Sequence, residues 1–283
     1  MYSRLIIFLN KNNIITEVQN RFREQKSTTT AIQSFIERIQ EALDDGLQAI
    51  GIFFNLTKAY DVLNHKVLLD KLHSYGMRGN INSCYDMIRF ISYLTDQKQF
   101  VDINQSSHIN SKYISSCIML KCKVLQGSAL GPVLFLIHIN DLPLNVEDGQ
   151  SVLFADDITL LIIERDENFL QYKVNEVVKK LEYWFKKKNL TINIGKTVAM
   201  SYHTKQSKLL NRPKITCRNT DIAYKSDTKF LGIHITENLK WTTHMHILKL
   251  QLSKVYYIVK SVQGIVGWGT ISFYHSKFES LVR

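Results

Sequence analysis

The sharpest chemical signal in the sequence is Phe154-Ala155-Asp156-Asp157. Two adjacent carboxylates at a tight turn between apolar runs project charge where only cations make it tolerable, so the pair is a candidate site for a divalent metal ion with oxygen ligands. An ordinary Asp-rich hairpin turn carries the same two residues, and the neighbouring segments are what favour the metal. Val124-Leu125-Gln126-Gly127-Ser128-Ala129-Leu130-Gly131-Pro132 is a glycine-bearing loop entering a helix. Glycine lets backbone approach a ligand closely, and a helix start favours phosphate. Further upstream, residues 52–61 end an apolar run in the cluster Asn55-Leu56-Thr57-Lys58-Ala59-Tyr60-Asp61, as a nucleotide site at a strand's carboxyl end would.

These side chains need elements to hold them. Asp156-Asp157 separates β-rich runs at 152–155 and 158–163, which predicts two strands joined by an acidic turn. Residues 49–56 form a continuous apolar run, the pattern of a buried strand. After Ser27-Thr28-Thr29-Thr30, which can cap a helix, Ile32, Phe35, Ile36, Ile39 and Leu43 recur on one face through Asp45. Helices are also expected over 64–75, stopped by Gly76, over 82–94, and over 128–140 with Pro132 in the first turn. A long one at 167–188 ends in Lys186-Lys187-Lys188, as the helix dipole favours. Residues 97–104 and 112–124 read as the arms of a hairpin, 197–203 and 229–236 as single strands, and 242–262 and 271–283 as closing helices.

The 283 residues are 45% hydrophobic, enough for one large domain or a core with a small appendage. Thirty-six Lys and Arg against 25 Asp and Glu give a net charge of +11 and a pI near 9.4, which suits a polyanionic partner, nucleic acid first. Cys84, Cys117, Cys122 and Cys217 show no C-x-x-C pair and read as reduced core thiols. The apolar run Leu5-Ile6-Ile7-Phe8-Leu9 is too short for a secretion signal or a membrane span. An intracellular chain is expected, in nucleus or cytoplasm, neither secreted nor in a membrane. His203, His234, His244 and His246 lack ligand spacing, Lys179-Lys180 and Lys186-Lys187-Lys188 read as a solvated helix face, and Tyr256-Tyr257 read as core.

Together the motifs carry a family resemblance. Phe53 to Asp61 resembles the F-x-D-L-x-K-A-F-D palm motif of non-LTR retrotransposon reverse transcriptases, the Gln126 loop their Q-G-S-x-L-G-P, and Phe154 to Asp157 their F-A-D-D. Arg21-Phe22-Arg23 with Ser27-Thr28 is similar to their G-F-R-x-x-x-S-T. Trp184 with Asn189-Leu190-Thr191-Ile192-Asn193 and Lys196-Thr197 resembles W-x-x-x-N-x-L-x-x-N-x-x-K-T. Lys229-Phe230-Leu231-Gly232, Leu239-Lys240-Trp241 and His244 follow the pattern after the palm. The six elements stand in family order over nearly the whole chain, in a style resembling jockey-like elements.

The resemblance implies an α+β right-hand polymerase fold: a palm with an antiparallel sheet and packed helices, partial fingers and an incomplete thumb. Its divisions fall at 1–48 (fingers segment), 49–203 (palm with an inserted hairpin) and 204–283 (primer-grip region and truncated thumb). It implies RNA-directed DNA synthesis from an RNA template, a DNA primer and deoxynucleoside triphosphates, with two Mg²⁺ ions, or Mn²⁺, as cofactors. By the same resemblance Asn55, Asp156 and Asp157 are the metal positions, Asp156 the more direct ligand, with the Leu56 carbonyl an extra oxygen. Tyr60 is the aromatic gate against the ribose 2′-hydroxyl. Lys58 and Ala59 lie beside the triphosphate, Gln126 and Gly127 beside the nucleotide, and Lys196 near the pyrophosphate.

The main departure is Asn55, where the family has Asp. An amide keeps the shape and loses the charge, an expected cost on the order of a thousandfold in rate. Arg21 and Lys123 stand where the family has glycines, and Leu125 where it has proline. A truncated and catalytically impaired copy is expected; a host-adopted nucleic-acid-binding or scaffold protein without catalysis is the alternative. Asp61 is expected to be structural.

Overall fold

Burial at helical spacing builds the first helices of the computed structural model, which describes residues 2–23, 25–77, 88, 90–95, 98–105, 111–119, 122–124, 127–146, 148–204, 212–262, 272 and 276. Helix α1 (Tyr2–Lys11) sinks Leu5 and Leu9, four residues apart, into the main core. The short apolar run that sequence reading leaves unassigned thus lies in a helix, its ends Leu5 and Leu9 buried on one face and Ile7 exposed on the other. Helix α2 (Thr28–Asp44) starts at Ser27, whose Oγ accepts the Thr30 N–H at 3.2 Å while Thr30 Oγ1 accepts the Ser27 N–H at 2.8 Å. Its buried face is Ala31, Phe35, Ile39 and Ala42.

In chain order the strands are β1 (Gln48–Phe54), β2 (Leu56–Thr57), β3 (Lys98–Gln99), β4 (Asp102–Gln105), β5 (Ser111–Ile114), β6 (Ile118–Met119), β7 (Gln150–Phe154), β8 (Asp157–Glu164), β9 (Thr191–Ile192), β10 (Val198–Tyr202), β11 (Thr216–Cys217), β12 (Thr220–Asp221), β13 (Ala223–Tyr224), β14 (Asp227–Phe230) and β15 (Ile233–Thr236). The remaining described helices are α3 (His65–Ser74), α4 (Leu130–Ile139), α5 (Glu167–Lys187) and α6 (Thr242–Val262). Five strands form one sheet in the order β13-β10-β1-β8-β7, antiparallel throughout except for the β10–β13 pair.

The central strand β1 is apolar without a break because both its faces are covered. Ile50, Ile52 and Phe54 face a core shared with α1, α3, α4 and α5. Ala49 and Phe53 turn to the opposite face, where Phe35 of α2 lies 6.0 Å from the Phe53 ring and 4.9 Å from Phe230 of β14. Gly51 makes this packing possible, since a Cβ there would come within 3.0 Å of the Tyr202 ring. The outcome is the expected α+β fold, an antiparallel sheet with packed helices.

Several expectations change in detail. The predicted strand over 49–56 breaks at Asn55, and β2 pairs instead with β9. The single strand expected over 229–236 is the hairpin β14–β15, because Leu231 (φ 46°) and Gly232 (φ 102°) make a two-residue turn in the left-handed region that flanking strand twist favours. The arm over 112–124 is β5 and β6 with an interruption between them. Residues 90–95 are helical, as expected; the rest of the helix over 82–94 is outside the described residues apart from position 88, and that over 271–283 apart from 272 and 276. Cys217 is buried, whereas Cys117 and Cys122 are exposed, contrary to the reading of all four as core thiols; Cys84 lies outside the described residues. Tyr256 and Tyr257 are exposed rather than core, since the α6 face that carries them is uncovered. Lys188, read as solvated, is buried in an ion cluster.

Candidate functional site

Three elements converge at one end of the sheet. The first is the carboxyl end of β1. There Asn55 leaves the ladder: its N–H donates to Thr197 Oγ1 at 3.2 Å and its carbonyl accepts the Asn193 N–H at 2.8 Å. The second is the β7–β8 turn, where Phe154 pairs with Asp157 across Ala155 and Asp156. The third is the turn before β10 that carries Lys196, closed by the Thr197 hydroxyl donating to the Asn193 carbonyl at 2.9 Å. Antiparallel registry makes the meeting obligatory, because Phe54 pairs with Ile158 on one side of β1 and Phe53 with Val198 on the other.

The acidic turn is held from outside the sheet. Ala155 adopts φ 56°, an uncommon conformation for a residue with a Cβ. Its N–H donates at 3.1 Å to Oε1 of Gln19, which is only 1% exposed; the same oxygen accepts the Arg21 N–H at 3.1 Å. Leu153 N–H donates to the Val18 carbonyl and Asn20 N–H to the Leu153 carbonyl, so residues 18–20 run along the β7 edge. No sequence motif announced Gln19. Its one signal is a buried amide, visible only after folding.

A cavity of about 430 Å³ opens on the α2 face and is lined by Arg21, Asn55, Phe154, Asp157, Lys196 and Lys229, among others. Asp156 turns instead toward Tyr60, whose hydroxyl donates to Asp156 Oδ1 at 3.4 Å. Burial and then the Asp156 charge push the Tyr60 phenol up to about 12, so Tyr60 is a donor at neutral pH. Its ring packs 5.0 Å from Phe135. Desolvation first, and repulsion from Asp156 second, raise the Asp157 carboxyl above its ordinary value, against the opposing charge of Arg21.

The other expected site residues lie on neighbouring elements or outside the described residues. Leu56 lies in β2, Lys58 takes a left-handed conformation (φ 49°), and Ala59 is buried in the short helical turn that Tyr60 shares. Lys123 and Val124 pass beside that turn through bonds to the Leu63 and Tyr60 carbonyls. They bring the start of the glycine loop close, with Gly127 at φ 81° ahead of α4. Gln126 lies outside the described residues. Asp61 pairs with Lys123 Nζ at 3.5 Å and is not part of the cavity lining. Among the described residues no group of three or more His, Cys, Asp or Glu side chains gathers, and no helix is long and apolar enough to cross a membrane.

Comparison with known proteins places the chain in a family. Residues 1–235 match the family model described as reverse transcriptase (RNA-dependent DNA polymerase). The chain is 26% identical over 250 residues to a Drosophila melanogaster protein named as the probable RNA-directed DNA polymerase from transposon BS, covering 86% of this chain and 26% of that protein. It is 23% identical over 250 residues to the RNA-directed DNA polymerase from mobile element jockey of the same fly, with the same coverage. The chain spans about a quarter of the length of these curated relatives. Candida tropicalis telomerase in complex with a telomeric RNA fragment superposes with a TM-score of 0.55 at 13% identity, covering 99% of this chain and 45% of that one. The apo enzyme truncated from its C-terminal domain gives 0.53 at 15%, covering 84% and 44%. These two likenesses show a shared fold. The match over residues 1–235 does more: this chain belongs to the reverse transcriptase family.

Proposed function

We propose that this chain is the polymerising domain of a non-LTR retrotransposon, built to copy RNA into DNA, whose transfer chemistry is impaired in this copy. The observation that carries the reading is the meeting of Asn55, Asp157 and Lys196 at one cavity, with Asp156 and Tyr60 on its flank. In this reading an RNA template and DNA primer bind at the cleft. The deoxynucleoside triphosphate is met by Lys58 and Ala59 at its phosphates and by Gln126 and Gly127 at the nucleotide. Tyr60 closes on the sugar, and Lys196 meets the departing pyrophosphate.

The family implies two divalent ions, and the residues present suit one. Asp156 and Asp157 supply two carboxylates; the Asn55 amide and Leu56 carbonyl can add only neutral oxygens, and ligand charge governs affinity for hard cations. Such an ion, when bound, supplies Lewis-acid stabilisation of phosphoryl oxygen. A second would enter a cavity whose charged lining is three cations, Arg21, Lys196 and Lys229, and one carboxylate, Asp157. The same excess of cations supports the second reading, nucleic-acid binding without catalysis, since phosphates need no metal to bind there.

The test of the shared part of both readings is affinity for an RNA–DNA primer-template as a function of salt. The logarithm of the binding constant is expected to fall linearly with the logarithm of salt concentration, with a slope of several units. Absent or salt-insensitive binding would overturn both.

A further inference from the structure

We propose that Arg21 is a tethered counter-cation for the acidic turn, taking by its charge the place of one divalent ion, so that the cleft admits at most one. The inference rests on the polymerase reading of the cleft and deepens it.

Position comes first. The Arg21 guanidinium carbon lies 5.4 Å from the Phe154 ring centroid and 5.2 Å from that of Phe22. Phe154 is the cross-strand partner of Asp157, so the cation stands over the residue that faces the carboxylate. A guanidinium stacks readily on aromatic faces and keeps its proton throughout the physiological range, so its charge is a permanent part of the cleft. Attachment comes second. The buried Gln19 amide oxygen accepts both the Arg21 and the Ala155 N–H, which ties the cation's backbone to the acidic turn. A loop that swung away would break both bonds.

Charge comes third. Among the described residues no ion pair within 4 Å consumes Arg21, Asp156 or Asp157. The guanidinium therefore acts across the cleft as a field, and an incoming divalent ion must enter against it and against Lys196. Asn55, at the third donor position, offers nothing to offset that repulsion.

The test is Mn²⁺ binding to the full chain without nucleic acid or nucleotide, counted by electron paramagnetic resonance, for the parent, Arg21→Gln and Arg21→Lys. Arg21→Gln should tighten Mn²⁺ at the turn by about tenfold or more and admit a second ion. Arg21→Lys should stay within about twofold of the parent, and adding Asp157→Asn to Arg21→Gln should abolish the gain. The proposal falls if Gln matches the parent, or if Gln and Lys gain alike, which would make bulk rather than charge the obstacle. Primer extension and primer-template binding by these proteins and by Asn55→Asp keep the two readings apart. Rescue by Asn55→Asp with Mn²⁺ binding indifferent to Arg21 sinks the counter-cation and leaves the polymerase. A charge-dependent gain in Mn²⁺ binding with no primer-template affinity does the reverse.

Discussion

Two charged clusters sit on opposite faces of the same sheet, and they are built on opposite terms. Beneath it, Asp141 at the end of α4 receives Lys71 Nζ from α3 at 2.6 Å and Lys188 Nζ from the end of α5 at 2.7 Å. Lys71 also donates to the Ile137 and His138 carbonyls, closing the last turn of α4. Desolvation alone would raise the Asp141 carboxyl; the bonds from Lys188 and Lys71 outweigh it and hold it at about 2. Above the sheet, Arg21, Asp157 and Lys196 share a cavity without a single tight ion pair among them. Charge that fixes helices is consumed within the chain, whereas charge at the cleft stays out of tight ion pairs among the described residues, as the proposed polymerase site requires.

The largest expected effect comes from breaking the half-buried cluster. Asp141→Ala leaves two half-buried cations facing each other and, after screening by the solvent that reaches Asp141, should cost about 3 kcal/mol in urea unfolding. Asp157→Asn removes a carboxylate that has no ion-pair partner among the described residues and should shift stability by less than about 0.5 kcal/mol. Equal losses would erase the distinction.

His138 gives the next effect. It is 2% exposed, and burial, assisted by repulsion from Lys71 and Lys188, holds its imidazole down at about 4, against an ordinary 6.5. Between these values the unfolded chain binds more protons than the folded one. Stability should therefore be complete above pH 6.5 and fall by up to about 3 kcal/mol as pH drops toward 4. His138→Gln should flatten that window in denaturation measured at fixed pH steps. An unchanged slope would remove His138 from the account.

Smaller effects belong to the cleft. Gln19→Leu strands the Ala155 and Arg21 N–H groups and should cost about 1–3 kcal/mol, read by the thermal midpoint. Lys196→Gln and Lys229→Gln should each lower the salt slope of primer-template binding by about one unit with little effect on folding. A slope that does not move would place the nucleic acid elsewhere.

How far the sequence discloses this depends on the range of the interaction that decides each feature. The acidic hairpin, the Ser27-capped α2 and the halt of α3 at Gly76 are legible because period, cap and turn residue are local. The break after Phe54 is not, since the apolar run continues through Leu56 and what ends the strand is a bond from Asn55 to Thr197, 142 residues away. Gln19 and the Lys71–Asp141–Lys188 cluster are invisible for the same reason: each joins segments from distant parts of the chain, and no short spacing marks them. Asn55 itself was legible as a departure from a motif. Arg21 and Lys229 stand in motifs as well, but that they share a cavity with Asn55 is a matter of long-range position that no motif spells out.

The most direct test of the central claim is primer extension on an RNA template by the parent chain and Asn55→Asp, in Mg²⁺ and in Mn²⁺. The account predicts little or no synthesis by the parent and a gain on the order of a thousandfold on restoring the carboxylate, larger in Mg²⁺ than in Mn²⁺. Vigorous synthesis by the parent in Mg²⁺ would contradict it.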